Sequence, residues 1–133
     1  MKVMLRFTRH ILEMPIHWQL WIALLFLANM AAVFFLPRVE ASVVLAGLFV
    51  GAVLQMALFD RFGFVRLLGI GHFHWFVMIA WLVTRLGTIR GEGLFHNWVV
   101  AVIVVCGLSL VIDTVDVIRY LRGEQEPTIV LEA

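Results

Sequence analysis

Four long apolar runs constrain this chain more than any other feature. They extend from Ile16 to Leu36, Ala41 to Phe59, Leu67 to Val83 and Trp98 to Tyr120, the last becoming mixed in polarity beyond Ile112. Crossing the hydrocarbon core of a bilayer takes about 20 helical residues at a rise of about 1.5 Å each, and each run approaches or reaches that length. An open strand cannot satisfy its backbone in lipid, and a membrane barrel needs alternating rather than continuous apolar segments. Composition agrees: 63% of the 133 residues are hydrophobic and 14% charged, where soluble domains run at about 45–50% and about 25%. Disorder, which needs low hydrophobicity and high charge, is excluded. The expected fold class is all-α: an integral membrane protein, an antiparallel four-transmembrane-helix bundle forming a single domain over residues 1–133.

Short hairpins at Pro37–Glu40 and Asp60–Arg66 join the runs, and a longer loop, Arg85 to Asn97, carries Gly87, Gly91 and Gly93. No internal repeat is evident, which argues against an inverted-repeat transporter within one chain. Lys2, Arg6, Arg9, Arg61, Arg66, Arg119 and Arg122 fall on one side of the expected spans and Arg38, Arg85 and Arg90 on the other. This asymmetry places both termini in the cytoplasm, as in a bacterial inner membrane protein. The first run is longer than a signal-peptide core and lacks a clean small-x-small cleavage site after it, so it reads as a retained span.

Residues 2–14 form a separate feature. Lys2, Arg6, Arg9 and Glu13 recur at helical spacing, as do Met4, Phe7, Ile11 and Met14. That pattern predicts an amphipathic helix in the membrane interface, with Lys2, Arg6 and Arg9 touching the membrane surface. The plainer alternative is a topogenic basic flank. Pro15 suits the break into the first span. The tail, residues 121–133, is expected on the cytoplasmic side, either as a flexible end or as a short docking strand.

The fourth run carries the most chemistry. Cys106, Ser109, Asp113, Asp116 and Tyr120 follow at spacings of three and four and share one helix face, while Val104, Leu108, Val111 and Val115 supply a lipid-facing side. A carboxylate at the centre of a membrane helix costs about 2.5–3.5 kcal/mol on the insertion scale, so this face should turn to protein or water. Asp113, Asp116, Ser109 and His72 are the candidate ion or proton path. The structural alternative is a helix end emerging into the cytoplasm, with Asp116 paired to Arg119. Counted from the same end, Asp113 and His72 are each about five residues deep, so an Asp–His contact that responds to protons is within reach.

The third run contains Gly71-His72-Phe73-His74-Trp75. In a regular helix the two histidines lie about 200° apart and cannot share a metal, and bis-histidine haem binding with His17 is possible but not indicated. Gly47, Gly51 and Gln55 form a small-residue ridge suited to close helix packing, and Asn29 is placed for an interhelical hydrogen bond. Trp18, Trp81 and Trp98 read as interfacial anchors.

No nucleophile elbow, phosphate loop, dinucleotide fingerprint or zinc-protease motif is present, so no enzyme, cofactor or metal is expected. The single cysteine, Cys106, excludes an intramolecular disulfide, and a net charge of +1 gives no case for nucleic acid. The expected partners are the lipid bilayer and further copies of the chain or other membrane subunits. The favoured expectation is a channel-like or transport subunit acting as a homo-oligomer; the alternative is a non-catalytic accessory or scaffold subunit. Reporter fusions at residue 133 and between Arg85 and Asn97 should read opposite sides of the membrane; same-side signals would overturn the span count.

Overall fold

The computed structural model describes residues 1–131. The last two residues of the expected tail lie outside them. Among the described residues the fold is all-helical. Five α-helices, α1 (Lys2–Leu12), α2 (Ile16–Met30), α3 (Val39–Phe62), α4 (His74–Ile89) and α5 (Gly93–Leu121), are joined by two 3₁₀ segments, Ala31–Phe35 and Arg66–His72. Four continuous stretches, Ile16–Phe35, Val39–Phe62, Arg66–Ile89 and Gly93–Leu121, are long and apolar enough to cross a membrane.

Each break has a local cause. Pro15 caps α2, and the Gln19 amide reaches back to donate to the carbonyls of Leu12 and Met14, satisfying acceptors left by the end of α1. Ahead of Pro37, α2 tightens into the 3₁₀ segment Ala31–Phe35, because the residue before a proline is pushed out of helical geometry. α3 ends at Gly63, whose φ of 77° is the left-handed region that favours glycine.

The loop expected over Arg85–Asn97 is much shorter. α4 continues to Ile89 and α5 already begins at Gly93. Arg85 does not stop the helix because its charge is met: its Nε and Nη2 both lie 3.0 Å from Oε1 of Glu40, which is 1% exposed. Beside them Arg38 grips Glu92 with both guanidinium nitrogens, Nη1 to Oε1 at 2.6 Å, and lies 4.2 Å over the Phe95 ring. A planar guanidinium suits this two-point geometry. These contacts staple the Pro37 end of the molecule.

The core lies between α2, α3, α4 and α5, built on Leu25, Ala32, Val44, Trp75, Leu82, Val99, Val102 and Cys106. Trp98, expected as an interfacial anchor, is buried instead. Its Nε1–H donates to the Ala28 carbonyl at 2.8 Å, and its ring stacks on Phe35 at 4.8 Å. The N–H that burial of Trp98 takes from solvent is satisfied by that carbonyl. The outer surface is apolar, with Leu20, Phe34, Phe49, Val53, Val77, Val104, Leu108, Val111 and Val115 exposed. α1 packs its Phe7 and His10 on Phe59 and Phe64, while Met4, of the same apolar spacing, is exposed. The tail folds back on its own chain, where Thr128 donates its N–H and hydroxyl to the Phe64 carbonyl.

The Arg38–Glu92 pair gives the fold a defined acid sensitivity. Its hydrogen bonds to Arg38 hold the Glu92 carboxyl below its ordinary value of 4.5. A carboxyl lowered on folding stabilises the fold above its unfolded value and loses that effect as pH falls through its folded value. The melting temperature of Glu92→Gln in detergent should therefore fall short of wild type at pH 7, and the gap should close as pH drops below 4.5. The pair is exposed, so the gap should be small and shrink with salt.

Candidate functional site

The Arg66–His72 segment explains how polar residues meet inside an apolar fold. It carries glycines at 69 and 71, and both are pressed against neighbours. A Cβ on Gly69 would sit 2.9 Å from the Asp113 Cβ and carbonyl oxygen; one on Gly71 would sit 2.7 Å from Gln55 Cγ and 3.3 Å from its backbone nitrogen. Only glycine lets the segment wedge this closely between α3 and α5. A 3₁₀ helix has about three residues per turn, so residues three apart eclipse each other. His72 therefore stands over Gly69, on the side that faces Asp113.

The result is a carboxylate–imidazole pair. His72 Nδ1 lies 2.7 Å from Asp113 Oδ2, with the two side chains 17% and 15% exposed. The Gln55 amide nitrogen donates to the Leu68 carbonyl and to His72 Nε2, each at 3.3 Å. Nε2 is then an acceptor, which assigns the proton of a neutral ring to Nδ1, donating to Asp113. The imidazole also stacks on Trp75 at 4.2 Å.

The two histidines do not point apart, as a regular helix would require. The chain changes from 3₁₀ to α between them, and both border Gly51: His74 Cε1 is 3.3 Å and His72 Cδ2 3.5 Å from its would-be Cβ. His74 Nε2–H donates to the Gly47 carbonyl at 2.7 Å. The ridge of Gly47, Gly51 and Gln55 thus receives side chains from the same chain, Trp75 and Met78 at Gly47 and the histidines at Gly51. Two buried nitrogens here have no partner among the described residues, His74 Nδ1 and Trp75 Nε1. With Nε2 donating, His74 Nδ1 is a bare lone pair.

The other residues of the α5 stripe are also engaged or enclosed. Asp116 binds Arg66, Nη1 to Oδ1 at 2.8 Å, rather than Arg119, whose partner is Glu124 at 2.6 Å. Arg66 reaches both because it enters the site from the 3₁₀ segment, with Glu124 at 3.5 Å on its other side. Cys106 meets the fully buried Asn29, whose amide also donates to the Leu25 carbonyl at 2.8 Å. Ser109 is buried between these levels. Lys2, Arg6 and Arg9 lie apart from this site, exposed on α1, and His17 stands exposed beside Trp18.

The pair can hold a proton on either Asp113 Oδ2 or His72 Nδ1, and its far side ends on an amide. It does not open into the apolar groove of about 420 Å³ lined by Phe76, Ile79, Gly107, Leu110, Val111, Thr114 and Val115. No cluster of three or more metal-ligating side chains occurs among the described residues. The alternating glycines at 69 and 71 are the signal that sequence reasoning passed over: inside an apolar run they mark close backbone approach. Comparison with known proteins found no matching family model, curated protein or solved structure.

Two glycine variants separate this packing from helix propensity. Gly69→Ala forces a methyl into the Asp113 backbone and should destabilise the fold by about 1–3 kcal/mol in reversible unfolding. Gly107→Ala meets nothing within 4 Å and should be neutral or slightly stabilising. Equal effects would contradict the close approach.

Proposed function

We propose that this chain is a small integral membrane subunit of transport or channel type, with four antiparallel spans and both termini in the cytoplasm. In this reading it exchanges a proton at the His72–Asp113 pair on the cytoplasmic side and works as a homo-oligomer rather than as an enzyme. The observation that carries the reading is the 2.7 Å contact between an imidazole and a carboxylate inside an apolar fold. Ionisable groups at membrane depth are costly and are found where they move or bind charge. Irregular backbone at such depth is tolerated where protein buries it, and broken helices are a recurring device of transport sites. The excess of Lys and Arg on the α1 side supports the orientation. Polar groups at the Pro37 end are consumed in the Arg38–Glu92 and Glu40–Arg85 pairs. A through path therefore needs further copies or other membrane subunits.

One observation favours a second reading, a non-catalytic scaffold or accessory subunit. Asp113 and Asp116 are each already bonded to a residue of the Arg66–His72 segment, as interhelical glue would be. Asp113→Asn and His72→Ala, singly and together, distinguish the two when proton flux and unfolding are both measured. Flux is read with a pH-sensitive dye trapped in liposomes. The transport reading expects Asp113→Asn to keep the fold, since an amide oxygen still accepts from Nδ1, and to change flux or its pH dependence. Unchanged flux with stability losses non-additive by about 0.5–3 kcal/mol would leave the scaffold. No change in either would remove the functional case for α5.

A further inference from the structure

α1 has three sides, and the protein packs chiefly on one of them. Taking about 100° per residue, His10, Val3, Phe7 and Ile11 fall on one arc, and all are partly buried. Phe7 lies 5.3 Å from Phe59 edge-on, and His10 stacks on Phe64 at 5.2 Å. His10 Nδ1–H also donates to the Arg6 carbonyl at 2.7 Å. This side fixes the rotation of α1 against the end of α3.

The remaining surface splits in two. Met1, Met4, Leu5 and Leu12 form an exposed side that is apolar except for Thr8, whose hydroxyl is turned back to the Met4 carbonyl; Leu5 is 63% and Leu12 64% exposed. Lys2, Arg6 and Arg9 form a basic side, shared with Glu13 alone. The centres of the three sides are about 110–140° apart. Lys2, Arg6 and Arg9 make no ion pair among the described residues. The other charges at this end are mostly committed: Arg66, Asp116, Arg119 and Glu124 bind one another, and Arg61 lies over Phe62. Asp60 is exposed in the last turn of α3.

A helix bounded by protein and water needs two kinds of side. One bounded by protein, acyl chains and headgroups needs three, in this arrangement. The geometry points to α1 as an arm that binds anionic phospholipid headgroups through Lys2, Arg6 and Arg9, with Met1, Leu5 and Leu12 in the acyl region beneath. The phosphate-rich surface supplies the complementary charge, and the apolar side fixes the depth. This inference rests on membrane insertion but not on proton exchange at His72.

The test uses the whole chain in phosphatidylcholine bilayers containing a trace of spin-labelled phosphatidylglycerol or phosphatidylcholine. Electron paramagnetic resonance reads the fraction of each that the protein restricts. Phosphatidylglycerol should be retained preferentially, and the preference should shrink as salt rises above about 0.15 M, where the Debye length is already about 8 Å. Lys2→Gln, Arg6→Gln and Arg9→Gln combined should abolish it, each cation contributing up to about fivefold. Arg6 also lies 5.4 Å from the Phe59 ring, so Lys2→Gln/Arg9→Gln serves if the triple variant melts early. Equal retention of the two lipids by wild type, or a preference that survives loss of the cations, would overturn the inference. No restricted lipid of either kind would instead show that the chain is not inserted.

Discussion

The structure depends on the close approach of the Arg66–His72 segment to α3 and α5. Two glycines make it possible, Gly69 against Asp113 and Gly71 against Gln55. Were this stretch an ordinary α-helix, positions 69 and 72 would not eclipse, and His72 would not stand over the contact with Asp113. Asp113 would then be a lone carboxylate in apolar surroundings. The backbone geometry and the polar chemistry are therefore one arrangement: the wedge seals the pair, and the pair gives α5 a partner at that depth.

Charge is handled differently at the two ends. At the Pro37 end, the buried Glu40 is bound by Arg85 with Arg38 at 4.0 Å, while Arg38 and Glu92 stay largely in the open. The exposed pair adds little to stability, because salt and side-chain entropy oppose it. Glu40 matters more, since removing Arg85 would leave a buried carboxylate with one distant partner. At the α1 end, Arg66 bridges Asp116 and Glu124 and so ties the 3₁₀ segment to α5 and the tail. Both ends are fixed by ionic contacts, and the polar groups between them are held by hydrogen bonds that close packing permits.

The lengths and apolar faces of the helices were legible from residue order. The first run was read to Leu36 and the helical stretch ends at Phe35, and Val104, Leu108, Val111 and Val115 are exposed. Counting depth brings Asp113 and His72 to one level, and they are in contact. Charged residues misled where their partners were remote in sequence. In sequence Arg85 reads as a terminus, because its partner Glu40 lies 45 residues away. Asp116 has a cation three residues along, while its partner in the fold lies 50 residues away. The 3₁₀ geometry was hidden for a different reason. Hydropathy is the same for both helix types, and only the Gly-Ile-Gly spacing carries the difference.

Gln55 decides what the pair can do. Its amide nitrogen is held by the Leu68 carbonyl, a backbone group available because the 3₁₀ segment runs past it. That bond directs a donor at His72 Nε2, so in this geometry Nε2 must accept. A proton arriving at Nε2 would set donor against donor. Relief requires the amide to turn and present its oxygen, and the turn breaks the bond to Leu68. One side chain, Gln55, thus joins the His72 ring to the backbone of the 3₁₀ segment seated on α3. Gln55 therefore links three parts of the fold through one amide: its own helix α3, the 3₁₀ backbone at Leu68, and the ring of His72 that faces Asp113 on α5.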